Sequence, residues 1–469
     1  MRLREDFKNV LPAFMTCAVL AWALAAHGLG GWPAPWPWLE TVRAEVFALA
    51  SHPSDQWMMA VCIGVYLAGF VYLENLRRQQ PCWRDVRGML ALTLGCWAGW
   101  VYARDYAVAA RGTDFLVFVA ALAFANVTRF VCTDEARRKF VMRFLVLSLT
   151  VASCVRVGGG LSYQYRGEPR LRGPWDNPNT FGLLMAVAVI LSLGLALDAW
   201  CRRPKTSDCV LSRLRRFVPL IWLICAVIAG DALVRSYSRG AWLGAALGLG
   251  WWVWRWLRSL SEGPAPPPRP VLLRRCALPA LVLCLSLGVI AFWNFRNTEV
   301  PVVRRAFSAG NLNDFSWRNR VATWPGALEV MARKPVSGWG WNRPATVFEH
   351  GHKPASLNEG GAISLNSYLM LGMTLGLPAL LGFLAWVWLS LRTNDDSDRM
   401  NLENVPEVGP MARHSYKAAV LALLAGLAFD GGISKLCVAV PFALMLELCH
   451  ADSPRIPSQP AGGERPSIK

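Results

Sequence analysis

A succession of long apolar runs constrains this chain more than any other feature. A helix needs roughly 20 mostly apolar residues to cross a bilayer. Twelve runs approach that length: 10–30, 57–74, 88–103, 113–128, 141–158, 181–199, 217–237, 240–257, 277–294, 365–391, 416–430 and 433–449. In lipid every backbone polar group must be satisfied internally, so such runs fold as helices. The expected fold is an all-α integral membrane protein of about twelve transmembrane helices. Only 17% of the 469 residues are charged, below the roughly 25% of a soluble domain.

The formal net charge is +18, which on its own would suggest nucleic acid. Its distribution argues otherwise. Basic residues fill every second connection: Arg2, Arg4 and Lys8; Arg77, Arg78, Arg84 and Arg87; then Arg137, Arg138 and Lys139. They continue with Arg202, Arg203, Lys205, Arg213, Arg215 and Arg216, then Arg258, Arg269, Arg274 and Arg275. This is the positive-inside pattern. It predicts cytoplasmic termini and an extracytoplasmic loop at 295–364, periplasmic in a cell with an outer membrane. The partner is then membrane lipid and not nucleic acid. The first run has a basic lead-in and small residues at Ala21, Ala23, Ala25 and Ala26, so a signal peptide remains open beside a retained first helix.

The expected organisation has four parts: spans within 1–294, the large loop 295–364, spans within 365–450, and a Pro/Ser/Gly-rich disordered tail at 451–469. A Pro-rich connector at 258–275 and an acidic segment at 392–415 read as cytoplasmic. Thirteen cysteines are scattered with no CxxC pair, so neither a disulfide framework nor a thiolate metal site is expected.

The large loop carries Arg296, Arg304, Arg305, Arg318, Arg320, Arg333 and Arg343 against the charge bias. An acidic ligand explains them, as does a solvated surface. Within it, Val321, Trp324, Leu328 and Met331 predict an amphipathic helix over Ser316–Ala332, kinked or split at Pro325 and stopped by Lys334-Pro335. The turn Gly338-Trp339-Gly340-Trp341-Asn342 offers Trp339 and Trp341 to a sugar face or to the membrane interface. Upstream, Asp231, Arg235 and Arg239 fall on one helical face, with Asp231 placed to neutralise Arg235 at i,i+4. That leaves Arg239 at the outer mouth, as a ligand cation or as a snorkelling helix-end arginine.

Four stretches carry a resemblance to a known family. They are Arg172-Gly-Pro-Trp-Asp-Asn177-Pro-Asn179-Thr-Phe-Gly182; Ser238-Arg239-Gly240-Ala-Trp-Leu; Arg320-Val-Ala-Thr-Trp324 with Pro335 and Gly338-Trp339-Gly340; and Asn366-Ser-Tyr-Leu with Gly376-Leu-Pro. In this order the chain resembles the O-antigen ligase and polymerase family, membrane enzymes that move lipid-linked glycans on the outer face of the inner membrane. The resemblance implies a polyprenyl-diphosphate-linked glycan donor and a glycan or lipid A-core acceptor, with no cofactor and no metal. Arg239 and Arg320 match arginines that the resemblance implies the family needs, and they are the two candidates to hold the diphosphate. Arg172, Asn177, Asn179, Arg318, Trp339, Trp341 and Asn366 are expected substrate contacts.

One position departs from the family. Its ligases carry a His immediately before the Asn that begins the helix after the loop; here that residue is Leu365, which accepts no proton. Glu349, His350, His352 and Glu359 lie upstream as replacement bases. A polymerase-like member that does without this His, or loss of activity, are the other two readings. From another class, a transporter or flippase of lipid-linked sugars is the alternative. The expected symmetry of two inverted halves is not visible in the sequence. Glu349-His350-Gly351-His352 lacks the helical spacing of zinc enzymes, so no metal is expected there.

Overall fold

The computed structural model describes part of residues 13–24, then 86–109, most of 114–154, 164–165, most of 168–201, 217–261, 315–353, 366–392 and 410–449. Leu365, Glu359, the runs 57–74 and 277–294, the Pro-rich connector beyond Ser261 and the tail lie outside these residues.

The described chain is helical apart from a two-residue hairpin. After a helical segment within 13–24 come α1 (Val86–Arg104), α2 (Tyr106–Ala109), α3 (Asp114–Val131) and α4 (Glu135–Cys154). Strands β1 (Gln164–Tyr165) and β2 (Glu168–Pro169) pair antiparallel. Then follow α5 (Pro178–Cys201), α6 (Val218–Arg235), α7 (Arg239–Ser261), α8 (Phe315–Arg333) and α9 (Pro344–Gly351). The last are α10 (Ser367–Leu375), α11 (Leu377–Leu391), α12 (Pro410–Leu427), a short 3₁₀ turn (Gly432–Ser434) and α13 (Leu436–Cys449).

Helix α5 is the axis of the bundle. It is apolar all round, and its Phe181–Leu191 stretch is almost wholly buried, as expected of a helix enclosed by others. Helices α4, α6, α7 and α12 pack directly on it. Between α7 and α12 the backbones approach closely. A Cβ on Gly244 would strike the Ala422 carbonyl, and one on Gly240 would sit 3.0 Å from Phe429 Cβ. Gly240, Gly244 and Gly248 recur every four residues and so form one face, the small-residue seam that lets membrane helices approach. A neighbouring face of α7 exposes Leu243, Leu247 and Trp254.

Two described helices, Pro178–Cys201 and Val218–Arg235, are long and apolar enough to cross a membrane, and four shorter apolar helices accompany them. The expected run at 365–391 is not one helix. Gly376 adopts φ 89°, and Pro378 opens the next helix without an N–H. The chain therefore breaks into α10 and α11. Backbone from the loop fills the break: Trp339 N–H donates to Met373 O at 2.8 Å, Gly340 N–H to Thr374 O at 3.0 Å, and Leu377 N–H to Pro335 O at 2.6 Å. Irregular backbone among membrane helices is tolerated where protein satisfies it. The acidic segment also ends earlier than expected, because α12 begins at Pro410.

Charged groups separate the two ends of the bundle. At one end Arg129 grips Glu447 through two 3.0 Å hydrogen bonds, Arg87 approaches Glu447 at 3.5 Å, and Lys139 lies 3.8 Å from Asp198. The start of α5, the α6–α7 corner and the end of α12 lie at the other end.

The predicted amphipathic helix in the loop is α8, a single helix containing Pro325 and ending at Arg333. Its buried face differs from the expected one. Ala327, Val330 and Met331 pack with Phe348 and Met373 in a small second core, while Leu328 is 52% exposed. The apolar pattern misled because Thr323 and Ala327, small and weakly hydrophobic, lie on the buried side.

Candidate functional site

Three helix starts or corners and one loop helix bound a small cavity at the end of the bundle away from Glu447. Each is shaped by local sequence. Helix α5 begins at an Asn-Pro-Asn step. Asn177 Oδ1 accepts from Asn179 N–H at 2.8 Å, and its carbonyl accepts from Phe181 N–H at 3.0 Å. Asn177 is thus the N-cap and Pro178 the first helical residue. Asn177, expected to touch substrate, spends its side-chain oxygen on the helix.

Helix α7 begins the same way. Ser238 Oγ accepts from Ala241 N–H at 3.4 Å, and Ser238 O accepts from Trp242 N–H at 2.9 Å. The preceding Tyr237 sits at φ 50°, which turns α6 sharply into α7. Arg239 is therefore the first residue of a helix, where exposed N–H groups and the helix dipole favour an anion. The Gly of Ser-Arg-Gly is needed for the close approach of Phe429. Lower on α6, Arg235 Nε meets Asp231 Oδ1 at 3.0 Å, the i,i+4 pair expected from the sequence.

The third side is α8. Arg320 donates to Phe429 O at 3.1 Å, with its guanidinium carbon 5.8 Å from the Phe429 ring centroid. Phe429 and Asp430 form the turn after α12. Asp430 is buried; its Oδ2 accepts from Thr180 Oγ at 3.3 Å, and Lys435 Nζ donates to that hydroxyl at 2.8 Å. Ser367 Oγ, at the start of α10, donates to Asp430 O at 2.8 Å.

These elements enclose a cavity of ≈ 40 Å³ lined by Arg170, Asn179, Leu183, Ser238, Arg239, Gly240, Ala241, Arg320, Gly426, Phe429 and Asp430. Arg239, Arg320 and Asn179, separated by as much as 141 residues in sequence (320 less 179), line one space. Three cationic side chains against one carboxylate suit an anionic ligand with several oxygens.

Other expected residues fall elsewhere. Arg172 sits in the turn before α5, its carbonyl accepting from Trp175 N–H at 3.3 Å, and does not line the cavity. Arg318 lies on α8, and only its backbone is described. Asn366 caps α10, its Oδ1 accepting from Tyr368 and Leu369 N–H at 3.0 and 3.1 Å. The two tryptophans do not form an open sugar platform. Trp341 is 4% exposed, packs on Phe115 and Phe118, and donates to Ala98 O at 3.1 Å. Trp339 donates to Val330 O at 2.7 Å and lies under Lys334. Their N–H groups anchor the loop to helix backbones.

Glu349 and His350 sit on the short helix α9 and not in an open loop. Both are exposed, and His350 Nδ1 lies 2.8 Å from Thr346 O. His352 turns inward to Glu329, 3.1 Å away. That contact, followed by Arg333, holds the Glu329 carboxyl below its ordinary range. None of Glu349, His350 and His352 lines the cavity.

Two functional candidates escaped the sequence reading. Arg170 lies two residues from the arginine singled out there, and no periodicity distinguishes the two. Asp430 was absorbed into an apolar run. Its signal was available: a carboxylate followed by Gly431-Gly432 interrupts two membrane helices.

The fold and cavity define a helical bundle, two of whose described helices are long and apolar enough to cross a membrane, with three arginines and one aspartate lining a cavity at one end. Residues 224–384 match the family model described as O-antigen ligase, about a third of the chain. The family implies a glycosyltransferase-like enzyme acting in polysaccharide assembly at a membrane. No curated protein matches the chain.

Proposed function

We propose that the chain transfers a glycan from a polyprenyl-diphosphate donor to an acceptor hydroxyl at the outer face of the bacterial inner membrane. The observation that carries this reading is the convergence of Arg239, at the N-terminus of α7, and Arg320, on α8, on one cavity at the end of the bundle. The reaction breaks the bond between the sugar's anomeric carbon and the diphosphate oxygen. A new bond forms to the acceptor oxygen, and polyprenyl diphosphate leaves. Charge grows on the departing phosphate, and fixed guanidiniums in a partly dehydrated site stabilise that charge.

The acceptor's proton needs a base. Asp430 is the carboxylate among the described residues that line the cavity, and we assign the proton to it. Thr180 and Ser367 hold Asp430 from two sides. This assignment lets the site work with Leu at position 365.

The topology proposed with this function has twelve spans, cytoplasmic termini and a periplasmic loop at 295–364. The helix ends support it. Arg87 and Lys139, assigned to the cytoplasmic side by charge, meet partners at one end, where Arg129 shares Glu447 with Arg87. Residues assigned to the other side meet at the cavity.

Ligation and polymerisation share this chemistry and differ in the acceptor. Incubation of the purified protein with a defined polyprenyl-diphosphate glycan and separate acceptors tests the reading. One added unit per acceptor identifies a ligase, and a ladder identifies a polymerase. Translocation of the donor without cleavage would make the chain a transporter and overturn the proposal.

A further inference from the structure

Arg170 stands on the loop before α5 and lines the same cavity as Arg239 and Arg320. Its Nε donates to Ser236 O at 2.9 Å, and a terminal nitrogen donates to Asn179 Oδ1 at 2.7 Å. Both acceptors are uncharged oxygens. Together they fix its plane from two sides, the start of α5 and the α6–α7 corner. The loop is itself held there, because Leu171 N–H donates to Arg235 O at 3.0 Å. An arginine already held in place loses less side-chain freedom on gripping a ligand.

We propose that Arg170 is a third diphosphate-binding residue and that Asn179 is the positioning residue that aims it. The proposal rests on the reading of this cavity as the diphosphate site. The chemistry calls for more than two cations. The donor is a diphosphate diester, with one negative charge on each phosphate. Cleavage turns it into a monoester whose terminal phosphate carries further charge. Arg170, Arg239 and Arg320 come from three separate elements, so they approach the two phosphates from different directions. The Asn-Pro-Asn step then has a divided role: its first Asn caps α5, and its second orients a cation.

A purely structural Arg170 would staple α5 to the α6–α7 corner and never touch substrate. Ligand affinity and fold stability separate the two roles. The full-length protein in detergent is titrated with inorganic pyrophosphate by calorimetry, and its thermal unfolding is recorded without ligand. Arg170→Gln is expected to weaken pyrophosphate binding about ten- to a hundredfold. Arg170→Lys, which keeps the charge but not the fork, is expected to lose less, and Asn179→Ala to lose affinity in the same direction. A lowered unfolding temperature with wild-type pyrophosphate affinity in Arg170→Gln would make Arg170 a staple and overturn the proposal. If Arg170→Gln fails to fold, unchanged affinity in Arg170→Lys and Asn179→Ala overturns it instead. Wild-type affinity in both Arg239→Gln and Arg320→Gln, or no binding by the wild type, would refute the diphosphate reading of the cavity itself.

Discussion

Arg320 on α8 donates to the carbonyl oxygen of Phe429, the residue whose ring also packs against Gly240 at the start of α7. One phenylalanine thus touches the two elements that supply the proposed diphosphate arginines. Phe429→Ala removes the ring beneath Arg320 and opens space beside Gly240. The expected result is roughly tenfold less glycan transfer, seen as a higher KM for the donor in steady-state kinetics. Phe429→Tyr, which keeps the ring, should retain most of the activity.

The break between α10 and α11 depends on glycine. Gly376 has φ 89°, and a Cβ there would strike the Val336 carbonyl. Gly376→Ala combines backbone strain with a clash against backbone, and is expected to cost about 2–4 kcal/mol. A lowered midpoint of thermal unfolding in detergent checks it. Leu328→Ala, at an exposed position of α8, should leave that midpoint nearly unchanged.

Trp341 is predicted to matter for stability and not for sugar choice. Its replacement by Ala empties a site between α1 and α3 and leaves Ala98 O without its donor. The expected loss is about 3–5 kcal/mol. Unfolding measurements should show it, while the relative rates with different donor glycans stay the same.

Acid should loosen the attachment of α9 to α8. The Glu329 carboxyl is held below its ordinary range chiefly by His352 and then by Arg333. A depressed carboxylate contributes stability above its unfolded value, about 4.3, and loses that contribution as pH falls through the lower folded value. Amide hydrogen exchange in 344–352 should therefore speed up in that acidic window. Glu329→Gln should exchange faster at neutral pH as well, with little further acid response.

Much of this arrangement was legible in the sequence because it follows from periodicity and motif order. The apolar runs at 181–199 and 217–237 became α5 and α6, and the i,i+4 spacing of Asp231 and Arg235 became an ion pair. Arg239, Arg320 and Asn179 were chosen from the four stretches in family order, and they share the cavity. What was not legible depended on tertiary partners. Asn177 and Asn366 read as polar contacts, but their oxygens satisfy helix-start N–H groups. Trp339 and Trp341 read as surface because they sit in a Gly-rich turn, yet the turn folds inward against α1 and α10. Asp430 was hidden inside an apolar run whose helix ends at Leu427. Nothing in sequence spacing separates Arg170 from Arg172; only the hydrogen bonds to Ser236 and Asn179 do.

The central claim is that Arg239 and Arg320 stabilise a departing diphosphate. The direct measurement is the single-turnover rate of glycan transfer by purified wild type, Arg239→Ala and Arg320→Ala from a defined polyprenyl-diphosphate donor, at matched expression and unfolding temperature. The account predicts a loss of about a hundredfold or more in each variant. Rates equal to wild type in both would contradict it.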